Sequence, residues 1–128
     1  MKKILKTEKL PPAIGPYSSA VKAGNFIFLS GQVAYDVQKN IIIKGDVEKE
    51  TQIIMENISA FLKEQNLTFE NVVKTTIFLK NMADFGKVNE IYGKYFKDNP
   101  PARSCVSVKK LPKDVSIEIE MIIYDEKQ

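Results

Sequence analysis

The sequence predicts an α+β fold, a mixed β-sheet with two helices packed on one face. Three observations carry this reading. Apolar residues recur at helical spacing in two segments, which separate runs rich in Val, Ile, Thr and aromatics. The predicted elements follow the order strands, helix, strand, helix, strand, strand, which favours helices gathered on one side of a sheet. No internal repeat, low-complexity stretch or long linker interrupts the chain, so residues 1–128 read as one domain.

Gly15 and Pro16 break regular structure between Ala13 and Ser19, which predicts a loop before Tyr17. A short strand over Ala20–Lys22 then turns through Gly24-Asn25 into a second strand, Phe26–Gln32. The segment Asp36–Gly45 reads as a loop carrying a short extended piece at Ile41–Ile43. From Asp46 the period changes. Val47, Thr51, Ile54, Met55, Ile58, Phe61 and Leu62 share one helical face, with Asp46 as N-cap and Asn66 as the stop. Glu48 and Glu50 suit the positive end of this helix and Lys63 its negative end.

Val72–Leu79 is a predicted strand, rich in Val, Thr and Ile. A second helix is expected from Asp84, with Phe85, Val88, Tyr92, Tyr95 and Phe96 as its apolar stripe and Pro100-Pro101 as its stop. The last two strands are Ala102–Val108 and Ile117–Tyr124. Alternation places Arg103, Cys105 and Ser107 on one side of the first. It places Glu118, Glu120 and Tyr124 opposite Ile117, Ile119, Met121 and Ile123 on the second.

Composition narrows the chemistry. The chain has no histidine and one cysteine, Cys105, so a histidine-activated nucleophile or an internal disulfide cannot form. A zinc site is not expected from one Cys and no His. No Gly-rich phosphate loop is present. The net charge of +3 comes from scattered lysines without interleaved aromatics, a pattern that favours a solvated surface over a nucleic-acid footprint. No apolar run reaches the roughly 20 residues of a membrane span, and no apolar segment follows Lys2 and Lys3 as in a secretory signal. A cytoplasmic protein is expected.

Against 18 lysines stands a single arginine, Arg103. Its planar five-donor fork matches a carboxylate or phosphate in a way lysine cannot. On strand pattern alone two readings are open: an ion pair with Glu118 or Glu120 across neighbouring strands, or a pocket arginine that grips an acid while a glutamate handles a proton or water. Cys105, on the same strand face, is either a thiol activated by the guanidinium or a small packing residue; the absence of a base favours packing. Asn89 lies within the second helix's apolar stripe, as a boundary residue or as a functional amide. Tyr17 caps a pocket or packs at the surface. Ser30-Gly31 ends a buried strand, where glycine marks a bulge, a close approach or tight packing.

Taken together, Ile14-Gly15-Pro16-Tyr17, Ser30-Gly31-Gln32, Val73-Lys74-Thr75-Thr76, Val88-Asn89, Pro101 to Val106, Leu111 to Val115 and Ile117 to Glu120 closely resemble the RidA (YjgF-like) family of reactive enamine/imine deaminases. The resemblance runs from about Lys3 to Tyr124, and the motif around Arg103 is its most specific part. It implies a chorismate-mutase-like fold assembled as a homotrimer, with active sites in clefts between subunits. It implies hydrolysis of 2-aminoacrylate and related 2-imino acids to 2-keto acids and ammonium, without a cofactor or metal. By the same resemblance, Arg103 grips the substrate carboxylate and Glu118 orients the attacking water. Tyr17, Ser30, Gly31, Asn89 and Cys105 then line the cleft, with Gly31 and Cys105 acting mainly through backbone. Two other activities stand beside this one: an endoribonuclease or translation inhibitor, which needs a basic groove and stacking aromatics, and a small-acid binding regulator without turnover.

Overall fold

Eight strands and two helices make up the regular structure in a computed structural model that describes residues 1–127. They run β1 (Lys3–Leu5), β2 (Ala20–Ala23), β3 (Phe26–Gln32), β4 (Tyr35–Asp36), β5 (Ile41–Ile42), α1 (Val47–Glu64), β6 (Val72–Leu79), α2 (Phe85–Tyr92), β7 (Ala102–Ser107) and β8 (Ile117–Tyr124). Six of the strands form one sheet in the order β1-β2-β3-β8-β6-β7, and β4 pairs with β5 apart from it. Only β6 and β7 run parallel; the other neighbours are antiparallel. The sheet is therefore mixed, as expected.

One face of the sheet buries its side chains against the helices. Ile27 and Leu29 of β3, Ile77 and Leu79 of β6, and Ile117, Ile119, Met121 and Ile123 of β8 are all buried there. They join Ile54, Met55, Ile58, Phe61 and Leu62 of α1 in one apolar cluster. Each such side chain contributes about 1.5–3 kcal/mol relative to exposure. The predicted helix register is thus the observed one. Asp46 caps α1 by accepting from Lys49 N at 3.2 Å. Glu50 is fully buried and accepts from Asp46 N (3.1 Å) and Ser116 N (2.8 Å), which ties the helix start to the entry of β8.

Three elements differ from expectation. The second helix is only eight residues long, with Asp84 as its N-cap residue as expected but without a cap bond from that side chain. A 3-10 turn, Met82–Asp84, precedes it, and Asn81 rather than Asp84 provides the side-chain cap, accepting from Ala83 N at 3.0 Å. A second 3-10 turn, Gly93–Tyr95, ends it well before Pro100. Gly93 is a weak helix former, and Phe96 folds back onto the Tyr92 ring with centroids 4.7 Å apart. Strands β1 and β4 were not expected. Three and two residues long, they are too short for alternation to show.

No helix among the described residues covers the other sheet face. Phe26, Phe28, Val106 and Tyr124 are exposed on it, each by more than a third of its surface. Phe26 and Tyr124 meet edge to face at 5.2 Å. A depression of about 210 Å³ opens there, lined by Phe28, Lys74, Thr76, Glu120 and Ile122. No helix among the described residues is long and apolar enough to cross a membrane.

Candidate functional site

The residues singled out in the sequence fall into two groups, and the sheet separates them. Strand β7 is the sheet edge. Arg103 and Cys105 sit opposite Thr75 and Ile77 of β6, which point to the helix side. Glu118 and Glu120 sit opposite Phe78 and Thr76, which point to the open side. In-register neighbours in a sheet share a face, so Arg103 and Glu118 lie on opposite faces with β6 between their strands. The cross-strand ion pair considered for Arg103 does not form, because neither glutamate shares its face. None of the three ion pairs among the described residues includes it.

On the helix side, Arg103 meets α2 instead. Its Nη1 donates to Asn89 Oδ1 at 2.7 Å. Its guanidinium lies 5.1 Å from the Tyr92 ring centroid and 5.4 Å from that of Phe85. Helical spacing makes this possible: positions 85, 89 and 92 fall on one face of α2. Tyr92 is in turn held by a 2.7 Å hydrogen bond between its hydroxyl and that of Thr75. Two rings and an amide thus fix the plane of the guanidinium while the residue stays exposed at the sheet edge. Asn89 is half-buried, and its side-chain oxygen is engaged by the arginine rather than by the core. The sequence reading assigned Phe85 and Tyr92 to packing alone; the arginine at 103 was the missing signal for their second role.

Cys105 is half-buried beside this group. Burial pushes its thiol pKa up, and the nearby Arg103 offsets that only in part. It is a protonated thiol at neutral pH and a piece of wall, in line with the packing reading.

On the open side, β3 is irregular. Its register with β8 passes from Leu29↔Met121 to Gln32↔Ile119, so three steps on β3 face two on β8. Ser30 and Gly31 form this bulge. Ser30 is held on every polar group: its N–H donates to Ser19 O (2.9 Å), its Oγ to Ser18 O (2.6 Å), and its carbonyl accepts from Gln32 Nε2 (3.0 Å). These bonds tie the bulge to the loop that carries Tyr17. The Tyr17 ring is about half exposed at 53%, and its hydroxyl accepts from Ile14 N at 3.4 Å.

Glu118 lies directly over Gly31. A Cβ added there would come within 2.6 Å of Glu118 Cδ and 3.0 Å of its Cγ. Glycine is required for this close approach, the second of the options left open by the sequence. Burial raises the Glu118 pKa, and the like charge of Glu120, two residues along the same face, adds to it. Among the described residues no group of three or more His, Cys, Asp or Glu side chains is placed to hold a metal ion.

The mixed sheet with two helices on one face, a stacked arginine at its edge and a carboxyl over a glycine bulge on its open face define a small α+β protein of Rid type. Comparison with known proteins bears this out. The family model described as Endoribonuclease L-PSP matches residues 7–124, and the chain belongs to this family, that of the RidA or YjgF-like proteins. A RutC family protein of Pyrococcus horikoshii is 48% identical over 126 residues, covering 98% of this chain and 100% of the relative. The chloroplastic Reactive Intermediate Deaminase A of Arabidopsis thaliana is 45% identical over 121 residues, covering 94% of this chain and 65% of that one. The crystal structure of E. coli TdcF with bound serine matches with a TM-score of 0.88 at 37% identity, covering 97% and 99% of the two chains.

Proposed function

We propose that this protein is a 2-iminobutanoate/2-iminopropanoate deaminase, which hydrolyses 2-imino acids and their enamine tautomers to 2-keto acids and ammonium, and that it works as a homotrimer. One observation carries the reading. The carboxylate-gripping arginine and the water-handling glutamate sit on opposite faces of one sheet, so a second copy must bring them together. The exposed apolar face that bears Glu118 supplies the surface for that copy. Relatives support the chemistry: one is named a reactive intermediate deaminase, and another holds serine, a small amino acid with an α-carboxylate.

In the proposed reaction, Arg103 of one subunit binds the substrate carboxylate through donors not engaged by Asn89. Tyr17, Ser30, Gly31 and Glu118 of its neighbour, with Asn89 and Cys105 beside the arginine, form the cleft. A water oxygen adds to the imine carbon, and its proton passes to Glu118 as general base. The tetrahedral carbinolamine then collapses. Glu118 returns its proton to the nitrogen, the C–N bond breaks as the carboxylate takes the hydroxyl proton to leave the keto group, and that proton passes to the released ammonia, so the keto acid and ammonium leave. A carboxyl whose pKa is raised by burial suits both steps near neutral pH. Positioning provides the rest, because an iminium is already electrophilic. The proposed reaction needs neither cofactor nor metal, and the proposed location is the cytoplasm.

Mixing of variants tests the reading. Arg103→Ala and Glu118→Gln are each expected to be inactive in an assay where an amino-acid oxidase generates the imine and semicarbazide traps what remains. After unfolding and refolding together in equal amounts, the mixture is expected to regain about a quarter of wild-type activity, because about three quarters of the trimers are mixed and one site of the three in each mixed ring is intact. No recovery would exclude a site shared between subunits, and no wild-type acceleration would exclude the deaminase. Incubation with RNA checks the activity in the family model's description: clean cleavage by nuclease-free protein would replace this proposal.

A further inference from the structure

We propose that Gln32 is a positioning residue for the cleft, holding the Ser30–Gly31 peptide so that the Gly31 N–H is presented on the side of Glu118. The inference rests on the deaminase reading for its effect on turnover, but the geometry is independent of it. Gln32 is 3% exposed and turns inward from the bulge at the end of β3. Its Nε2 donates to the Ser30 carbonyl at 3.0 Å. Its Oε1 is the one buried side-chain polar atom among the described residues without a hydrogen-bond partner. A buried amide that leaves its acceptor unpaired is a poor choice for packing, and a methionine or leucine would fill the space without that loss. The donor is therefore the part of this side chain that the fold uses.

Its effect follows from peptide geometry. The Ser30–Gly31 bond is trans, since the described chain has no cis peptide, and a trans peptide points its N–H away from its C=O. Gln32 draws the Ser30 carbonyl inward, so the Gly31 N–H is turned outward. The bulge has lost its regular ladder partner at this point, and glycine has the freedom to flip the peptide. Ser30 N–H and Oγ fix the residue before the peptide, and Gln32 holds the carbonyl. A backbone donor aimed beside the Glu118 carboxyl suits an oxygen of the substrate acid or of the tetrahedral intermediate.

Gln32→Met separates positioning from packing. It is expected to keep the assembly and to melt at the same or a higher temperature, because the unpaired acceptor is gone. It is also expected to shift the Gly31 amide resonance in a 15N–1H spectrum and to lower kcat/KM about tenfold. Gln32→Glu should approach the turnover of the wild type measured at the same pH as the pH falls, because the protonated carboxyl can again donate to Ser30. An unmoved Gly31 resonance in Gln32→Met overturns the inference, whatever the turnover. So does wild-type kcat/KM in an active protein. If the wild type itself does not hydrolyse imines, the deaminase reading fails and the Gly31 resonance alone decides the role of Gln32.

Discussion

The Glu118 carboxyl occupies the volume that a side chain at position 31 would need, with Cδ 2.6 Å from the place of a Gly31 Cβ. The two residues come from strands that are neighbours in the sheet, β3 and β8, at the point where their register slips by one. The bulge and the glycine together let a glutamate lie flat against the backbone, half-buried, where its pKa is raised.

Replacing Gly31 by alanine should therefore act on Glu118. The backbone at Gly31 is not in the left-handed region, so alanine meets crowding rather than backbone strain. The carboxyl can swing away, and the cost in stability should stay below about 1 kcal/mol, at the low end for an overpacked site. Turnover should fall by about a hundredfold, the usual effect of displacing a general base. Thermal melting beside the imine-trapping assay checks both halves.

Arg103→Lys tests the fork. A lysine keeps the charge but loses the planar group that lies against Tyr92 and Phe85 and bonds Asn89. The protein should fold and assemble normally, with kcat/KM down about a hundredfold. Near-wild-type turnover would show that a point charge suffices.

The pH profile tests the electrostatics of the open face. Glu118 must be ionised to accept a proton from water, so activity should fall as pH drops through its raised pKa. Glu120→Gln removes the like charge and should move this acid limb to lower pH, with the plateau rate retained. Lys74 lines the same depression as Glu120 and donates to Ser104 Oγ at 2.9 Å. A shift to higher pH would contradict this arrangement.

A separate pair governs acid stability. Burial works against the charge on Asp125, but hydrogen bonds from Lys22 (2.9 Å) and Lys127 outweigh it and lower the pKa from 3.8 to about 2. A carboxyl with a depressed folded-state pKa stabilises the protein above its unfolded value and loses that contribution as pH falls through its folded value. Stability in urea should thus decline between about pH 4 and pH 2 by about 1–2 kcal/mol on account of this group. Asp125→Asn should remove that part of the slope.

Much of the fold could be read in advance because it rests on local patterns. The eight-residue strands around Ile77 and Ile119 alternate cleanly, and the stripe from Val47 to Leu62 repeats at helical spacing. Asp46 signals its own helix start. What could not be read was short or cooperative. The strands β1 and β4 leave no pattern, and the early end of α2 depends on Phe96 folding back onto Tyr92. The loose reading of Asn89 and Gly31 had the same origin, since each takes its role from a partner far along the chain, Arg103 and Glu118.

The sequence by itself determined the α+β class, the helix-facing core, the exclusion of histidine chemistry and the family resemblance with its candidate residues. Strand alternation even assigned Arg103 and Glu118 their faces relative to their own neighbours. Only the tertiary structure decided how those faces relate to each other. Strand order is a long-range property, and inserting β6 between β7 and β8 puts the arginine with the helices and the glutamate on the bare face. Within one chain the arginine and the glutamate therefore do not meet.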